Sequence, residues 1–368
     1  MRVKFFIAGF ILIILSLCSF QCSLPWSSAD SHEISIVSYN VHNLFDDVDD
    51  GNEYPEYKIA AGKWNSSLYQ TRLKNTSDAI LSFFPDTKYG PDVICLEEIE
   101  NIKILRDLVE GPLKNQGYRW LVAGGPEDSA IHTGILSRIP VVDLKAHAVA
   151  DAWGFGPARD VLELRFDLSE DSKKHTTDRD ELSLFVSHWK SRREGNEITE
   201  PARRAAASLV FSRIRSILAE KPSANIVVCG DFNESPDEFA RNKGAYPTAF
   251  MPQEALEKHP CGSSTAPAEC IPVTDRREAA SSDASCPVLF SPWKEAGGFS
   301  YSYRGSREQI DGFLLSSALL DGRDLEFLRF EPSRWDKLFN EKQEPVAWNG
   351  HTGYSDHVPI LLVLSREP

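Results

Sequence analysis

The sequence predicts a layered α/β sandwich. Two observations carry this. Apolar runs of strand length recur along the chain with helical segments between them, and no glycine fingerprint of a dinucleotide-binding sheet accompanies them. Several of the runs are almost continuously apolar, as strands are when both faces of their sheet are covered. At 368 residues, with 42% hydrophobic and 26% charged residues, the chain is long enough for a deep core and too apolar for disorder.

The N-terminus reads as an export signal. Arg2 and Lys4 precede an apolar run over 5–17. That run is shorter than the roughly 20 residues a membrane span needs. Cys18 and Cys22 follow. Cys22 stands where a bacterial lipoprotein carries its lipid, although Gln21 and not a small residue precedes it. The expectation is a leader over 1–22 lipidated at Cys22, a tether over 23–33, and one domain over 34–368. The product is an envelope lipoprotein anchored to the membrane or, without lipidation, a secreted protein. Mass spectrometry of the mature chain checks this: it should begin near Cys18 or Cys22, and an intact leader would refute it.

A strand over 34–40 opens the domain, followed by an acidic loop over 46–53. The loop lacks EF-hand spacing and reads as solvated, with Ca²⁺ binding the alternative. Leu73, Ile80 and Phe84 recur at helical spacing over 68–84. Strands follow over 92–97, 119–122, 134–137, 161–166 and 182–187. The strongest helix covers 203–219. Ala206, Val210, Ile214 and Ile217 form its apolar face, Arg203, Arg204, Arg213 and Arg215 take polar positions, and Pro201 serves as a start signal. A strand over 225–229 comes next. An irregular stretch over 239–298, rich in Pro, Ser, Ala and Glu, reads as a surface insert. Strands over 310–315 and 358–364 close the chain.

Export makes disulfides permissible. Cys95 and Cys229 sit in apolar strands and read as core residues. Cys261, Cys270 and Cys286 crowd the irregular stretch, where two of them suffice to close a loop. The formal net charge is −14, and removing a leader that holds Arg2 and Lys4 takes away two positives to leave about −16. Such a field does not attract polyanions. A nucleic acid would have to be gripped by a local basic patch or through bound metal.

Four strand ends carry polar residues in place of apolar ones: Asn40, Glu98, Asp231 with Asn233, and Asp356 with His357. A hard cation such as Mg²⁺ prefers carboxylate oxygens, so Glu98 and Asp356 are candidate ligands. Asp231 is placed to orient or deprotonate a water, and Asn233, two residues on, lies on the same side of an extended segment. His357 can exchange a proton near neutral pH, and Asp311 can hold its imidazole in one orientation. His188 begins a basic run in which Lys190, Arg192 and Arg193 are candidates for phosphate oxygens.

The blocks Ser38-Tyr39-Asn40-Val41, Ile94-Cys95-Leu96-Glu97-Glu98, Gly134-Ile135-Leu136-Ser137-Arg138, Gly230-Asp231-Phe232-Asn233, Gln309-Ile310-Asp311 and Ser355-Asp356-His357 span nearly the whole domain. Together and in this order they resemble the endonuclease/exonuclease/phosphatase superfamily, which includes deoxyribonuclease I, bacterial sphingomyelinases and inositol polyphosphate 5-phosphatases. The resemblance implies a four-layer α/β/β/α sandwich of two packed mixed sheets, with the site at one edge. It implies Mg²⁺ at Glu98 with Asn40 nearby, Mn²⁺ or Ca²⁺ being alternatives. It implies that Asp356 completes the metal region, that Asp231 and Asn233 position nucleophile and phosphate, and that Asp311 orients His357. His188 matches a histidine that the nuclease and sphingomyelinase branches use beside the phosphate, as acid.

Three features depart from the family, one being the long insert before Asp311. Glu97 stands where glutamine is common and would add a negative charge beside the metal ligand. His42 follows Asn40-Val41 without an assigned role. Trp153, Phe155, Tyr301 and Tyr303 are aromatic candidates for stacking on bases, with packing as the default.

The expected activity is an exported Mg²⁺-dependent nuclease of the extracellular branch, acting on DNA or RNA as a monomer. A phospholipid phosphodiesterase or phosphatase is the alternative, but it calls for an exposed apolar hairpin that the sequence does not display. A non-catalytic binding protein on the same fold fits poorly with an intact set of Glu98, Asp231, Asn233, Asp311, Asp356 and His357.

Overall fold

The computed structural model describes residues 33–126, 128–149, 159–168, 180–255 and 270–366. The expected leader and tether, with Cys18 and Cys22, and Trp153, Phe155 and Cys261 lie outside them. Among the described residues no helix is long and apolar enough to cross a membrane.

The strands are β1 (Glu33–Leu44), β2 (Val93–Ile99), β3 (Trp120–Gly124), β4 (His132–Ser137), β5 (Val141–His147), β6 (Val161–Asp167), β7 (Glu181–His188), β8 (Asn225–Asp231), β9 (Phe250–Pro252), β10 (Ile271–Thr274), β11 (Leu289–Phe290), β12 (Tyr301–Tyr303), β13 (Ser306–Glu308), β14 (Asp311–Leu315), β15 (Leu325–Pro332) and β16 (Ile360–Arg366). The three long helices are α1 (Ser66–Leu81), α2 (Ile102–Glu110) and α3 (Asn196–Glu220). Six strands form one mixed sheet in the order β15-β16-β1-β2-β4-β3. Eight form the second, β5-β6-β7-β8-β14-β11-β10-β9, and β12-β13 is a separate hairpin.

Side chains alternate across a strand, and that alternation builds the layers. Ile34 and Ile36 of β1, Val93 and Cys95 of β2, and Ile360, Leu362 and Leu364 of β16 point toward the second sheet. There they meet Leu182, Leu184, Val227, Cys229 and Phe313 in one core. Val37, Tyr39 and Val41 point the other way, onto Tyr69, Leu73 and Ile80 of α1 and Ile104, Leu105 and Leu108 of α2. Phe185, Ile226 and Val228 face out of the second sheet onto Ala206, Val210 and Ile214 of α3. The result is the expected four-layer α/β/β/α sandwich, with Cys95 and Cys229 as buried thiols in its middle.

Three expectations change. First, α3 starts at Asn196, so Pro201 lies inside it and Arg203 is not on a polar face. Arg203 is 1% exposed. Its guanidinium donates to the Asn196 carbonyl (2.7 Å), Thr199 Oγ1 (2.8 Å), Glu200 Oε2 (2.5 Å) and Glu234 Oε2 (3.2 Å). These bonds brace the start of α3, where Pro201, the sixth residue, lacks the backbone donor that would reach the Glu197 carbonyl. Glu200 and Glu234 in turn accept from the Ala249 and Phe250 N–H groups (2.6 and 2.9 Å), so the network also pins the chain just after Asn233.

Second, the stretch over 239–298 is more than surface loop. It supplies β9, β10 and β11 to the sheet and buries Phe250, Ile271, Val273, Leu289, Phe290 and Trp293. Strands of two to four residues are too short to show a period of two in the sequence. Cys286 is disulfide-bonded. Third, the loop over 46–53 is not fully solvated, since Asp46 and Glu53 are buried.

One glycine is dictated by the packing at the site. Gly230 has φ +134°, and a Cβ there would lie 1.8 Å from the Ser187 carbonyl oxygen of the paired strand β7. Only glycine allows β7 and β8 to stay paired where His188 and Asp231 leave the sheet.

Candidate active site

The site occupies one open end of the gap between the two sheets. The inward-facing series of each strand runs Val227, Cys229, then Asp231 on β8, and Leu184, Val186, then His188 on β7. Phe313 and Leu315 put Asp311 on the inner face at the start of β14. These strands are neighbours, and their register sets His188 opposite Asp231 and Asp231 opposite Asp311. From the other sheet, Asn40 ends the inward series of β1. His357 arrives just before β16, which runs antiparallel to β1 and so begins at the same edge.

Asp231 is the centre. Its Oδ2 accepts from Asn40 Nδ2 across the gap (2.9 Å), and its Oδ1 accepts from the Asn233 N–H (2.8 Å). Asn40 thus orients Asp231, while its own Oδ1 accepts from the His42 N–H (2.9 Å). Asn233 is not on an extended segment, as its place in the sequence suggested. Its φ is +50°, and the left-handed turn swings its N–H back onto Asp231. Its amide donates to the Trp189 carbonyl (3.1 Å).

His188 Nε2 lies 3.5 Å from Asp231 Oδ2, and His357 Nε2 lies 3.8 Å from the same oxygen. The two imidazoles differ in charge. Burial, with the nearby cations Arg159 and His357, holds His188 well below the usual histidine range, so it is neutral. His357 is equally buried, which opposes its charging. Asp311 and Asp231 outweigh that burial and hold it well above the usual range. Asp311 Oδ2 bonds His357 Nδ1 at 2.8 Å, as the sequence predicted. Ser355 ties this limb to β1: its Oγ donates to the Asn40 carbonyl (2.7 Å) and accepts from the His357 N–H (3.0 Å). Burial and the Asp311 carboxylate push Asp231 up to about 7, against the opposing pull of His357 and of its two N–H donors.

Strict alternation would place Glu97 and Glu98 on opposite faces of β2. Glu97 does face the gap, and there it is fully buried with the Ser38 hydroxyl donating to it (3.2 Å). Burial and the neighbouring Cys229, Asp311 and Asp231 raise its pKa well above the carboxylate range. The negative charge expected from Glu97 is thus disfavoured where it sits. Glu98 reaches the site because β2 bulges. The register slips between Glu97 and Ile99, and Glu98 has φ +66°. Its Oε2 accepts from the Asn43 N–H (2.9 Å), and its Oε1 lies 3.8 Å from His188 Nε2. The end of β1 bulges to match, with His42 and Asn43 at φ +54° and +57°. Buried Arg72 holds this distortion by donating to the Val41, His42 and Tyr354 carbonyls. Beside it Asp356 faces His42 Nδ1 at 3.6 Å.

The donors fit a hard divalent cation. Glu98 and Asp356 flank the β1 bulge, their side chains 18% and 32% exposed, and neither is paired to lysine or arginine among the described contacts. Behind them Asp311 Oδ1 is buried without a hydrogen-bond partner. So many carboxylate oxygens at one edge, with few protein cations, suit Mg²⁺ or Mn²⁺.

The basic run is placed less simply. Lys190 pairs with Glu194 (3.0 Å), and Arg192 pairs with Glu308 and Glu238. Both are neutralised locally rather than free to grip phosphate. Two residues outside the predicted set border the site. Arg159 donates to the Trp189 carbonyl (3.1 Å) and supplies a positive field at His188. Tyr301 packs its ring 4.7 Å from the His357 imidazole. It opens the β12–β13 hairpin, which also carries Tyr303, Arg304 and Arg307. Tyr301 and Tyr303 were legible as aromatics. No motif marked Arg159.

Fold and site together define a two-sheet sandwich whose open edge combines part-exposed carboxylates with an aspartate held between two histidines. Residues 35–252 match the profile of the Endonuclease/Exonuclease/phosphatase family, and the chain belongs to that family. No curated protein matches the sequence. Among solved structures, an endonuclease/exonuclease/phosphatase from Bacteroides vulgatus is similar at 16% identity, covering 91% of this chain and 99% of that one with a TM-score of 0.51. A family member from Bacteroides thetaiotaomicron is similar at 16% identity, 91% and 98% coverage and a TM-score of 0.50. TDP2 from C. elegans follows at 15% identity, 90% and 75% coverage and a TM-score of 0.50. At these identities the likeness speaks for the fold.

Proposed function

We propose that this protein is an exported, divalent-metal-dependent phosphodiesterase that hydrolyses nucleic acid, with DNA as its first substrate. The observation that carries the reading is Asp231, fixed by Asn40 and Asn233 with a neutral and a charged imidazole on either side. A pKa near 7 suits a group that must take a proton from water at neutral pH. Asp231 accepts that proton as water attacks phosphorus in line; the ester P–O bond opposite breaks, and its oxygen leaves with a proton taken from solvent. Charged His357, steadied by Asp311, donates from Nε2 to a phosphoryl oxygen. Neutral His188, with its proton on Nε2, donates a hydrogen bond to a phosphoryl oxygen and keeps the phosphate beside Asp231. Glu98 and Asp356, with Asn40 nearby, would hold the metal, which when bound neutralises charge developing on the phosphoryl group.

Nucleic acid is favoured over lipid by the β12–β13 hairpin. Its tip bears Tyr303, 55% exposed, with the Arg304 guanidinium over the ring at 5.0 Å. An aromatic-basic tip beside the site suits stacked bases and phosphates, whereas a bilayer calls for an apolar one. Among the described residues the remaining exposed large hydrophobics, Val48, Tyr89, Val142, Ile198 and Leu328, are scattered in the sequence over separate elements.

The test is incubation with supercoiled plasmid and Mg²⁺ or Mn²⁺, with a chelator control and the Glu98→Gln variant. The expected result is nicking that the chelator abolishes and that Glu98→Gln slows at least roughly 100-fold. No nicking with any cation, but turnover of sphingomyelin or a phosphoinositide, would replace the nuclease reading. A Glu98→Gln enzyme of normal rate would remove Glu98 from the metal.

A further inference from the structure

The loop that leaves β1 doubles back onto the end of β2. The Asp46 N–H donates to Glu100 Oε2 (2.7 Å), just as the Asn43 N–H donates to Glu98 Oε2. Around Glu100 the loop gathers further carboxylates. One oxygen each from Asp50, Glu53 and Glu100 lie within 4.8 Å of one another. Asp46 is bound to this group and buried, with its own oxygens taken by the Val48 N–H (2.7 Å) and Asn101 Nδ2 (3.0 Å). Glu53 is fixed by the N–H groups of Asp50 and Gly51.

Glu100 is different. It is 3% exposed, its Oε2 is taken by Asp46, and its Oε1 has no hydrogen-bond partner. A buried carboxylate oxygen left unsatisfied among other acids is strongly unfavourable. Lys103, the cation beside this loop, is already engaged by Asp47 (3.0 Å) and Asp107 (2.6 Å). A bound cation removes the conflict. Ca²⁺ takes six to eight oxygens at about 2.3–2.6 Å, which sets opposite ligands roughly 5 Å apart. The three carboxylates already span that distance.

We propose that Asp50, Glu53 and Glu100 form a second cation site, separate from the catalytic edge, that takes Ca²⁺. The site needs no EF-hand spacing, because two ligands come from the loop and one from the end of β2. Bound Ca²⁺ clamps the loop to β2 two residues beyond Glu98, and so steadies the bulge that carries Glu98 and Asn43.

The test uses the full chain with Glu98→Gln, which weakens the catalytic metal site and lets the second be read alone. After chelator treatment, thermal unfolding is followed with Ca²⁺ or Mg²⁺. Tb³⁺ luminescence sensitised by Trp64, whose Nε1 donates to the Asp46 carbonyl (2.5 Å), reports occupancy. The expected result is a rise in Tm of about 4 °C at roughly 100-fold excess over Kd, and Tb³⁺ emission displaced by Ca²⁺. Asp50→Asn, an exposed change that spares the fold, and Glu53→Gln should each remove most of both signals. A folded Glu98→Gln protein with neither signal would overturn the proposal. So would signals that survive Asp50→Asn with Glu53→Gln, or a Tm rise given by Mg²⁺ alone.

Discussion

Asp231→Asn is expected to lower kcat by roughly 10²–10⁴-fold, the range a positioned general base supplies, while the protein stays folded. The same substitution should change how stability depends on pH. In the folded protein Asp231 titrates near 7, against an ordinary value of 3.8. A raised carboxylate pKa means that the native state holds a proton the unfolded chain has released. The stability it contributes is full below about 4 and is lost as pH climbs to 7. Wild type should therefore lose up to about 1.4 kcal/mol per pH unit relative to Asp231→Asn between roughly pH 4 and 7, and run parallel above that. Urea denaturation in chelator measures the difference, since a cation at Glu98 would draw the carboxylates down. Near-normal turnover in the folded variant would remove Asp231 from the reaction. Parallel stability curves throughout would show that its pKa is not raised. The trade is physical: a carboxylate buried between two sheets is unfavourable to the fold in the form the chemistry needs.

The same residues show what a sequence can and cannot carry. Asn40 and Asp231 were legible as polar residues at the ends of apolar strands, and Asp311 as a carboxylate able to hold His357. The Asp311–His357 pair was legible from the blocks, and the geometry bears it out at 2.8 Å. Glu98 was legible as a carboxylate at a strand end, but not the way in which it reaches the site. Period-two reasoning sends one member of Glu97-Glu98 inward, and that member is Glu97; a bulge at φ +66° brings in the other. Nothing local in Leu96-Glu97-Glu98-Ile99 announces a bulge, because its support comes from β1 and from Arg72. Asn233 failed for a similar reason, its backbone turning left-handed where an extended one was assumed. The basic run is harder to read because one of its charge partners is non-local. Arg192 is answered by Glu308, which only the fold brings near. Strands β5 and β15 escaped notice since their mixed, half-buried patterns lack the apolar continuity of β2 or β8.

His357 and Asp311 should behave as one unit. His357→Ala is expected to lower kcat/KM by roughly 10²–10³-fold, through loss of a charged donor at the phosphoryl oxygen. Asp311→Asn leaves the imidazole in place but removes the carboxylate that holds its proton against burial. Most of the same loss should follow, and the double variant should be little worse than either alone. The pH profile separates a charge effect from a packing defect. With Asp311 neutral, His357 gives up its proton more readily, so the alkaline limb of kcat/KM should move to lower pH. A variant that is merely misfolded would lose rate at every pH without moving that limb. Additive losses, or an alkaline limb that stays where it was, would mean that the two residues act separately. His357 would then owe its charge to Asp231, 3.8 Å away, and to Asp356, and the phosphoryl donor and the base of the reaction would share one ion pair.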